Sequence, residues 1–112
     1  EIGARYDALL SEANLADVQL PQIANASTSV YSQYTILSPE RDALQAKLKT
    51  AGIPAVAYYA KPLHLQPVFE KLEYHSGDFP VTESTAAQCL SLPMSAYLTA
   101  EDQQRVVDAI KE

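Results

Sequence analysis

A strand-like run that leads directly into a helix start lies in the first half of this chain. Residues Ser29–Leu37, with the sequence SVYSQYTIL, are rich in the β-branched and aromatic side chains that favour β-strands. Val30, Tyr34 and Ile36 fall on one face of this predicted strand. Apolar residues also occur on the other face, so we expect the strand to be covered at least partly on both sides.

The helix predicted next has both a start and a stop signal. Ser38 can cap its first free N–H groups, and Pro39 suits the first helical position. Gly52 marks the end, because glycine adopts the left-handed conformation of a helix C-terminus at the lowest cost. The buried stripe of this helix is predicted at Leu44, Leu48 and Ala51.

Two further apolar runs predict strands. Residues Ile53–Tyr59, IPAVAYY, form a short continuous run that is typical of a central strand, and Cys89–Met94, CLSLPM, predicts another. The remaining helical segments are predicted at residues 1–13, at Val68–Leu72, at Glu83–Cys89 with Thr82 as its cap, and after Thr99, which forms a capping-box pattern with Asp102.

This order of elements predicts an α+β fold. We expect a small sheet of about three strands, covered by helices on one face, within a single domain spanning residues 1–112. The other face of so small a sheet is expected to meet solvent or another domain.

Composition excludes several classes of function. The net charge of -6 argues against a nucleic-acid-binding surface, and no apolar run reaches the roughly 20 residues of a membrane span. Cys89 is the single cysteine, so it cannot form an internal disulfide; this fits a reducing compartment, and we expect the cytoplasm. His64 and His75 lack an accompanying cysteine pair, and the glycines are isolated, so no metal site or phosphate loop is predicted.

The adjacent tyrosines Tyr58 and Tyr59 are the strongest candidates for a binding role. They follow a predicted buried strand, where ligand-facing groups often gather in open sheets, and Lys61 adds a positive charge nearby. The residues alone leave an alternative open, in which one ring packs in the core and the other covers its rim. His64 and Gln66 are expected to be structural.

The start of the chain predicts a longer protein. Ile2, Tyr6, Leu9 and Leu10 lie on one helical face, but no capping residue precedes them, and the chain opens on Glu1 rather than methionine. We therefore expect a domain of a larger protein.

Four segments in order resemble the C-terminal region of a known family, and together they cover nearly the whole chain. They read SVYSQYTI, RDALQAKLKTAGIPAVAYYAKPLHLQPVF, FPVTESTAAQCLSLPMSAYL and EDQQRVVDAI. The family is that of the DegT/DnrJ/StrS sugar-nucleotide aminotransferases, which use pyridoxal phosphate. Within it, the chain most resembles enzymes that aminate a UDP-linked 3-keto-hexuronate for surface-polysaccharide synthesis.

The resemblance implies that cofactor binding belongs to a different domain from this one. The large N-terminal domain of family members carries the Schiff-base lysine and the other cofactor-binding residues, so this segment alone should neither hold pyridoxal phosphate nor transaminate, and it has no catalytic residue. It also implies that the parent enzyme is a homodimer that acts on a nucleotide sugar.

The resemblance also implies roles for single residues. Family members usually have a His-Tyr pair facing the sugar end of the substrate, at the positions of Tyr58 and Tyr59. Tyr59 keeps the family residue, whereas Tyr58 replaces the histidine, and Ser32 stands where another histidine is frequent. A phenol can donate a hydrogen bond but carries no positive charge at neutral pH. The alternative is a stand-alone small-molecule-binding or interaction module that shares the fold.

Overall fold

Four α-helices and two short β-strands make up the fold of the computed structural model, which describes residues 1–112. The elements are α1 (Ile2–Ala13), β1 (Tyr34–Leu37), α2 (Arg41–Thr50), α3 (Pro80–Gln88), β2 (Cys89–Leu92) and α4 (Ala100–Lys111). Two 3-10 helices, Leu63–Leu65 and Pro67–Leu72, lie between α2 and α3. None of the helices is long and apolar enough to cross a membrane.

The two strands pair antiparallel, with Tyr34 opposite Leu92 and Ile36 opposite Leu90. These four side chains are buried and point to the same face, because alternate residues of a strand share a face. Helices α1, α2 and α4 pack over that face. On the opposite face the hydroxyls of Thr35 and Ser91 lie 2.8 Å apart.

The core is a single cluster of twelve buried hydrophobic residues. They are Tyr6, Leu10, Tyr34, Ile36, Leu44, Leu48, Ile53, Leu90, Leu92, Val106, Val107 and Ile110. Gln103 is also fully buried, where its amide donates to the Ile2 carbonyl and its oxygen accepts from Arg5. That pairing joins α4 to α1 through satisfied polar groups.

The α+β class is confirmed, but the sheet is smaller than the three strands expected. The run Ile53–Tyr59 contributes one β-bridge, in which Val56 exchanges backbone hydrogen bonds of 3.0 and 2.8 Å with Ser91. Pro54 lacks the N–H that a longer ladder would require. Gln19 forms a similar single bridge to Leu37 at the other edge.

The first predicted strand is also shorter than expected. Residues Ser29–Gln33 lie outside β1, and Val30 is 93% exposed rather than on the inner face. Tyr31 has a φ of 47°, in the left-handed region, and this interrupts an extended pairing. β-propensity in this stretch therefore predicted more strand than the backbone forms.

The end of α2 matches its prediction, whereas its start does not. Gly52 has a φ of 73°, its N–H bonds the Lys49 carbonyl, and the N–H of Ile53 bonds the Leu48 carbonyl at 2.9 Å, which is a Schellman motif. The helix begins at Arg41, however, and no side chain caps it. Ser38 is buried instead of capping, and Ala51 is exposed instead of in the buried stripe.

The other two predicted helix starts have opposite outcomes. Thr99 caps α4 as expected, since its hydroxyl accepts from the Asp102 N–H at 3.0 Å. Helix α3 begins at Pro80, so Thr82 is not its cap, and it ends at Gln88. Cys89 consequently lies in β2, where it is buried as predicted.

Candidate functional site

The segment between Ile53 and Ala86 contains no buried residue. It leaves the edge of the sheet at Val56, runs through Tyr58 and Tyr59 into the two 3-10 helices, and returns as α3. Large apolar side chains are nonetheless frequent in it and exposed, including Tyr59, Leu63, Val68, Leu72 and Val81. Exposed apolar side chains that are this frequent in one segment are typical of a surface that contacts a partner.

Tyr58 and Tyr59 are both exposed and lie in a cleft of about 350 Å³. Their ring centroids are 6.1 Å apart and the rings meet edge to face. Lys61 lies on the same side, α3 contributes Val81, Thr82 and Thr85, and Cys89 lines the cleft as well. The alternative in which one ring packs in the core is wrong, because neither ring is buried.

Ser32 approaches Tyr58 on a neighbouring surface. The two residues line a second cavity of about 300 Å³ over the polar face of the sheet, next to Ser91. Ser32 and Tyr58 are far apart in the sequence. They come together because β1 pairs with β2 and Val56 forms a bridge to Ser91 of β2. Ser32 and Tyr58, the two positions at which the family resemblance implies a usual histidine, therefore lie beside one cavity.

Glu83 is a residue that sequence reasoning missed. Its carboxylate accepts hydrogen bonds from the backbone N–H of Gly77 at 2.8 and 3.0 Å, from the N–H of Phe79 at 3.3 Å and from the Ser76 hydroxyl at 3.1 Å. His64 Nε2 lies 3.1 Å from the same carboxylate. The backbone donation from Gly77 is the largest of the causes that lower the pKa of Glu83.

Glu83 and the groups that bond its carboxylate are called the Glu83 hub below. The hub joins the 3-10 helix that contains His64 to the first turn of α3. The His64 ring also packs on Phe79, with the centroids 4.8 Å apart, so His64 has the structural role that was expected. His75 lies outside the hub, and its backbone N–H bonds Asp78. No group of three metal-binding side chains occurs in the chain.

The Glu83 hub is expected to order the turn that contains Gly77 and Phe79. Glu83→Ala should expose the Gly77 and Phe79 amides to faster hydrogen exchange, because it removes the acceptor that both share. Ala87→Ser, a change at an exposed position of the same helix, is the control. Unchanged exchange at both amides in Glu83→Ala would show that the carboxylate does not order this turn.

The same hub should respond to pH in a defined direction. The backbone donation from Gly77 holds the folded pKa of Glu83 below the ordinary value of a glutamate carboxyl, so its stabilising contribution is present above the unfolded pKa and is lost as pH falls through the folded pKa. The amide chemical shift of Gly77 is expected to titrate with a midpoint below that value.

The tyrosines of the core are not part of this site. Burial, with a smaller effect of the Asp102 charge, raises the pKa of Tyr6 to about 12. Burial is also the largest cause that raises the pKa of Tyr34, whose hydroxyl donates to Asp7 at 2.6 Å. Both phenols therefore stay neutral and structural.

A larger cavity, of about 720 Å³, lies at the start of α1 and offers weaker chemistry. Its one cation, Arg5, is already paired with Glu1 and Gln103. The cleft beside Tyr58 and Tyr59 is thus the better candidate site.

Comparison with known proteins identifies relatives along the whole chain. The chain is 48% identical over 97% of its length to a pleiotropic regulatory protein of Geobacillus stearothermophilus. It is 36% identical over 88% of its length to the UDP-2-acetamido-2-deoxy-3-oxo-D-glucuronate aminotransferase of Pseudomonas aeruginosa. It covers 29% and 26% of those two proteins, which is less than a third of the length of either.

Solved structures show the same relationship. The fold superposes on DesV of S. venezuelae with a TM-score of 0.86 at 32% identity, covering 97% of this chain and 31% of DesV. It superposes on an aminotransferase from Brucella abortus with a TM-score of 0.83 at 39% identity, covering 98% of this chain and 28% of that one. The sequence profile of the DegT/DnrJ/EryC1/StrS aminotransferases matches residues 1–111, so the chain belongs to this family.

Proposed function

We propose that this chain is the C-terminal domain of a longer, pyridoxal-phosphate-dependent aminotransferase that acts on a nucleotide-linked keto sugar. Its membership of the family and the names of relatives, which include UDP- and dTDP-sugar aminotransferases, support this proposal. The longer enzyme is proposed to be a homodimer of the cytoplasm, where a free, buried cysteine such as Cys89 stays reduced.

The observation that carries the proposal is the unburied surface of residues 54–85. The radius of gyration is 15.4 Å, larger than the roughly 13 Å expected of a compact domain near this size. A self-contained domain would bury these apolar side chains in its own core. Their exposure is explained if another part of the same enzyme covers them.

Tyr58 and Tyr59 are proposed to form one wall of the sugar pocket. Both phenols are exposed in the cleft, so each can donate a hydrogen bond to a sugar hydroxyl or carboxylate. Tyr58 in place of the family histidine keeps a donor and gives up the possibility of a positive charge. Pro62 restricts the backbone that follows the pair.

The residues that line this cleft do not by themselves fit pyridoxal phosphate. The cofactor supplies the aldehyde and the electron sink of transamination, and a site for it needs a lysine together with an acid that faces the ring nitrogen. Lys61 is the only lysine in the cleft, and no carboxylate lines it. The proposal therefore assigns cofactor binding to the remainder of the longer enzyme.

Tyr59→Phe in the complete enzyme tests the pocket wall. Loss of one neutral hydrogen bond should lower kcat/KM by about 2- to 15-fold. Tyr97→Phe is the matched control, because Tyr97 is 93% exposed and lies outside the cleft. Equal kinetics for Tyr59→Phe and the wild type would remove Tyr59 from the pocket.

A regulatory role is a second candidate, because the relative from Geobacillus stearothermophilus is named a regulatory protein. That role would place the cleft in a ligand sensor rather than an enzyme. The two candidates differ in one observable property, since only the enzyme moves an amino group to a nucleotide keto sugar.

A further inference from the structure

The cleft beside Tyr58 and Tyr59 contains a cation without a partner. No carboxylate lies within ion-pairing distance of the Lys61 ammonium, and Lys61 is exposed. Most other cations of the chain are engaged: Arg5, Arg41, Arg105 and Lys111 pair with carboxylates, and Lys47 donates to a backbone carbonyl. Only Lys49 and Lys71 share the unpaired state of Lys61.

The surroundings distinguish Lys61 from these two lysines. Lys49 lies in a cavity together with Asp42, whereas Lys71 lies outside the cleft at the end of a 3-10 helix. The residues that line the cleft with Lys61 supply phenol and threonine hydroxyls and no carboxylate. In a chain of net charge -6, a cleft with hydrogen-bond donors, one cation and no acid is suited to an anion.

The backbone at Lys61 is held while its side chain is free. The Gln66 amide donates to the Lys61 carbonyl at 3.3 Å, and the N–H of Leu65 bonds the Pro62 carbonyl at 3.0 Å. The flexible four-carbon stem can then carry the ammonium towards a ligand between Tyr58 and α3. The arrangement fixes the position of the Lys61 backbone and leaves the charge of its ammonium unpaired.

We propose that Lys61 binds an oxyanion of the nucleotide sugar and makes the pocket selective for that anion. This inference rests on the proposed function, because it concerns the ligand of the same pocket. Two groups have the required chemistry: a carboxylate on the sugar ring and the diphosphate of the nucleotide. Tyr58 cannot take over this role, because its side chain is uncharged.

Binding measurements on the complete enzyme distinguish the two groups. UDP-glucuronate, UDP-glucose and UDP are titrated by calorimetry into the wild type, Lys61→Met, Lys61→Arg and the control Lys71→Met. Lys61→Met should weaken binding of the recognised anion by about 10- to 100-fold, while Lys61→Arg retains most of the affinity. Since Lys61 is exposed, both variants should fold.

Each outcome has a defined meaning. Weaker binding of UDP-glucuronate alone assigns Lys61 to the sugar carboxylate, and weaker binding of all three ligands assigns it to the diphosphate. Equal affinities in Lys61→Met and the wild type overturn the inference and leave the proposed function intact, as does an equal loss in Lys71→Met. A wild-type protein that binds neither these three ligands nor dTDP-glucose and dTDP contradicts the proposed function itself.

Discussion

Leu48→Ala is expected to lower the free energy of unfolding by about 2–5 kcal/mol, as large-to-small substitutions in packed cores do. Leu48 is fully buried at the centre of the helix face that packs on the sheet. Its carbonyl accepts the hydrogen bond from the Ile53 N–H in the Schellman motif, and both residues belong to the hydrophobic core. Since small domains are stable by only about 5–15 kcal/mol, the variant should show a large shift in the urea midpoint.

Lys49→Ala is the control for this experiment, because the next residue of the same helix is exposed. Its effect should stay within about 0.5 kcal/mol. A Leu48→Ala variant with the same urea midpoint as Lys49→Ala would contradict the packing of α2 against the sheet.

Arg41→Ala is expected to cost about 2–4 kcal/mol, because Arg41 makes two charged hydrogen bonds inside the protein. Its guanidinium is buried and donates to the carbonyls of Ala86 and Cys89, both at 3.2 Å. These carbonyls lie at the C-terminal end of α3, where the helix dipole favours a positive charge. Arg41 therefore connects the start of α2 to the junction between α3 and β2, which forms one side of the cleft.

Arg41→Met separates the hydrogen bonds from packing. Methionine fills most of the volume but donates nothing to the two carbonyls, so this variant should be destabilised nearly as much as Arg41→Ala in thermal unfolding. A methionine variant as stable as the wild type would show that the guanidinium contributes only apolar contact.

Features that depend on neighbouring residues were predictable from the sequence. The helix end at Gly52 and the cap at Thr99 follow from conformational preference and from a local hydrogen bond, and both occur. The place of Tyr58 and Tyr59 at the end of an apolar run was also evident from the sequence, but their exposure was not, because the residues alone left open that one ring packs in the core.

Features that depend on tertiary partners were not predictable in the same way. Val30 has high β-propensity, but nothing nearby shows that the backbone turns at Tyr31. Arg41 is the first residue of α2, where the helix dipole favours an acid over a cation. This unfavourable placement hinted at a tertiary partner for Arg41, but rules for neighbouring residues cannot identify α3 as that partner. Glu83 gathers donors from a turn and from His64, which become neighbours only in the fold.

The most direct test compares the 112-residue chain with the product of the complete reading frame that contains it. Each is incubated with pyridoxal phosphate, and bound-cofactor absorbance and glutamate-dependent amination of a UDP-linked 3-keto sugar are measured. The longer protein should bind the cofactor and transfer the amino group, and the 112-residue chain should do neither. Cofactor binding and amino transfer by the short chain alone would contradict the account, as would a reading frame that encodes no cofactor-binding region.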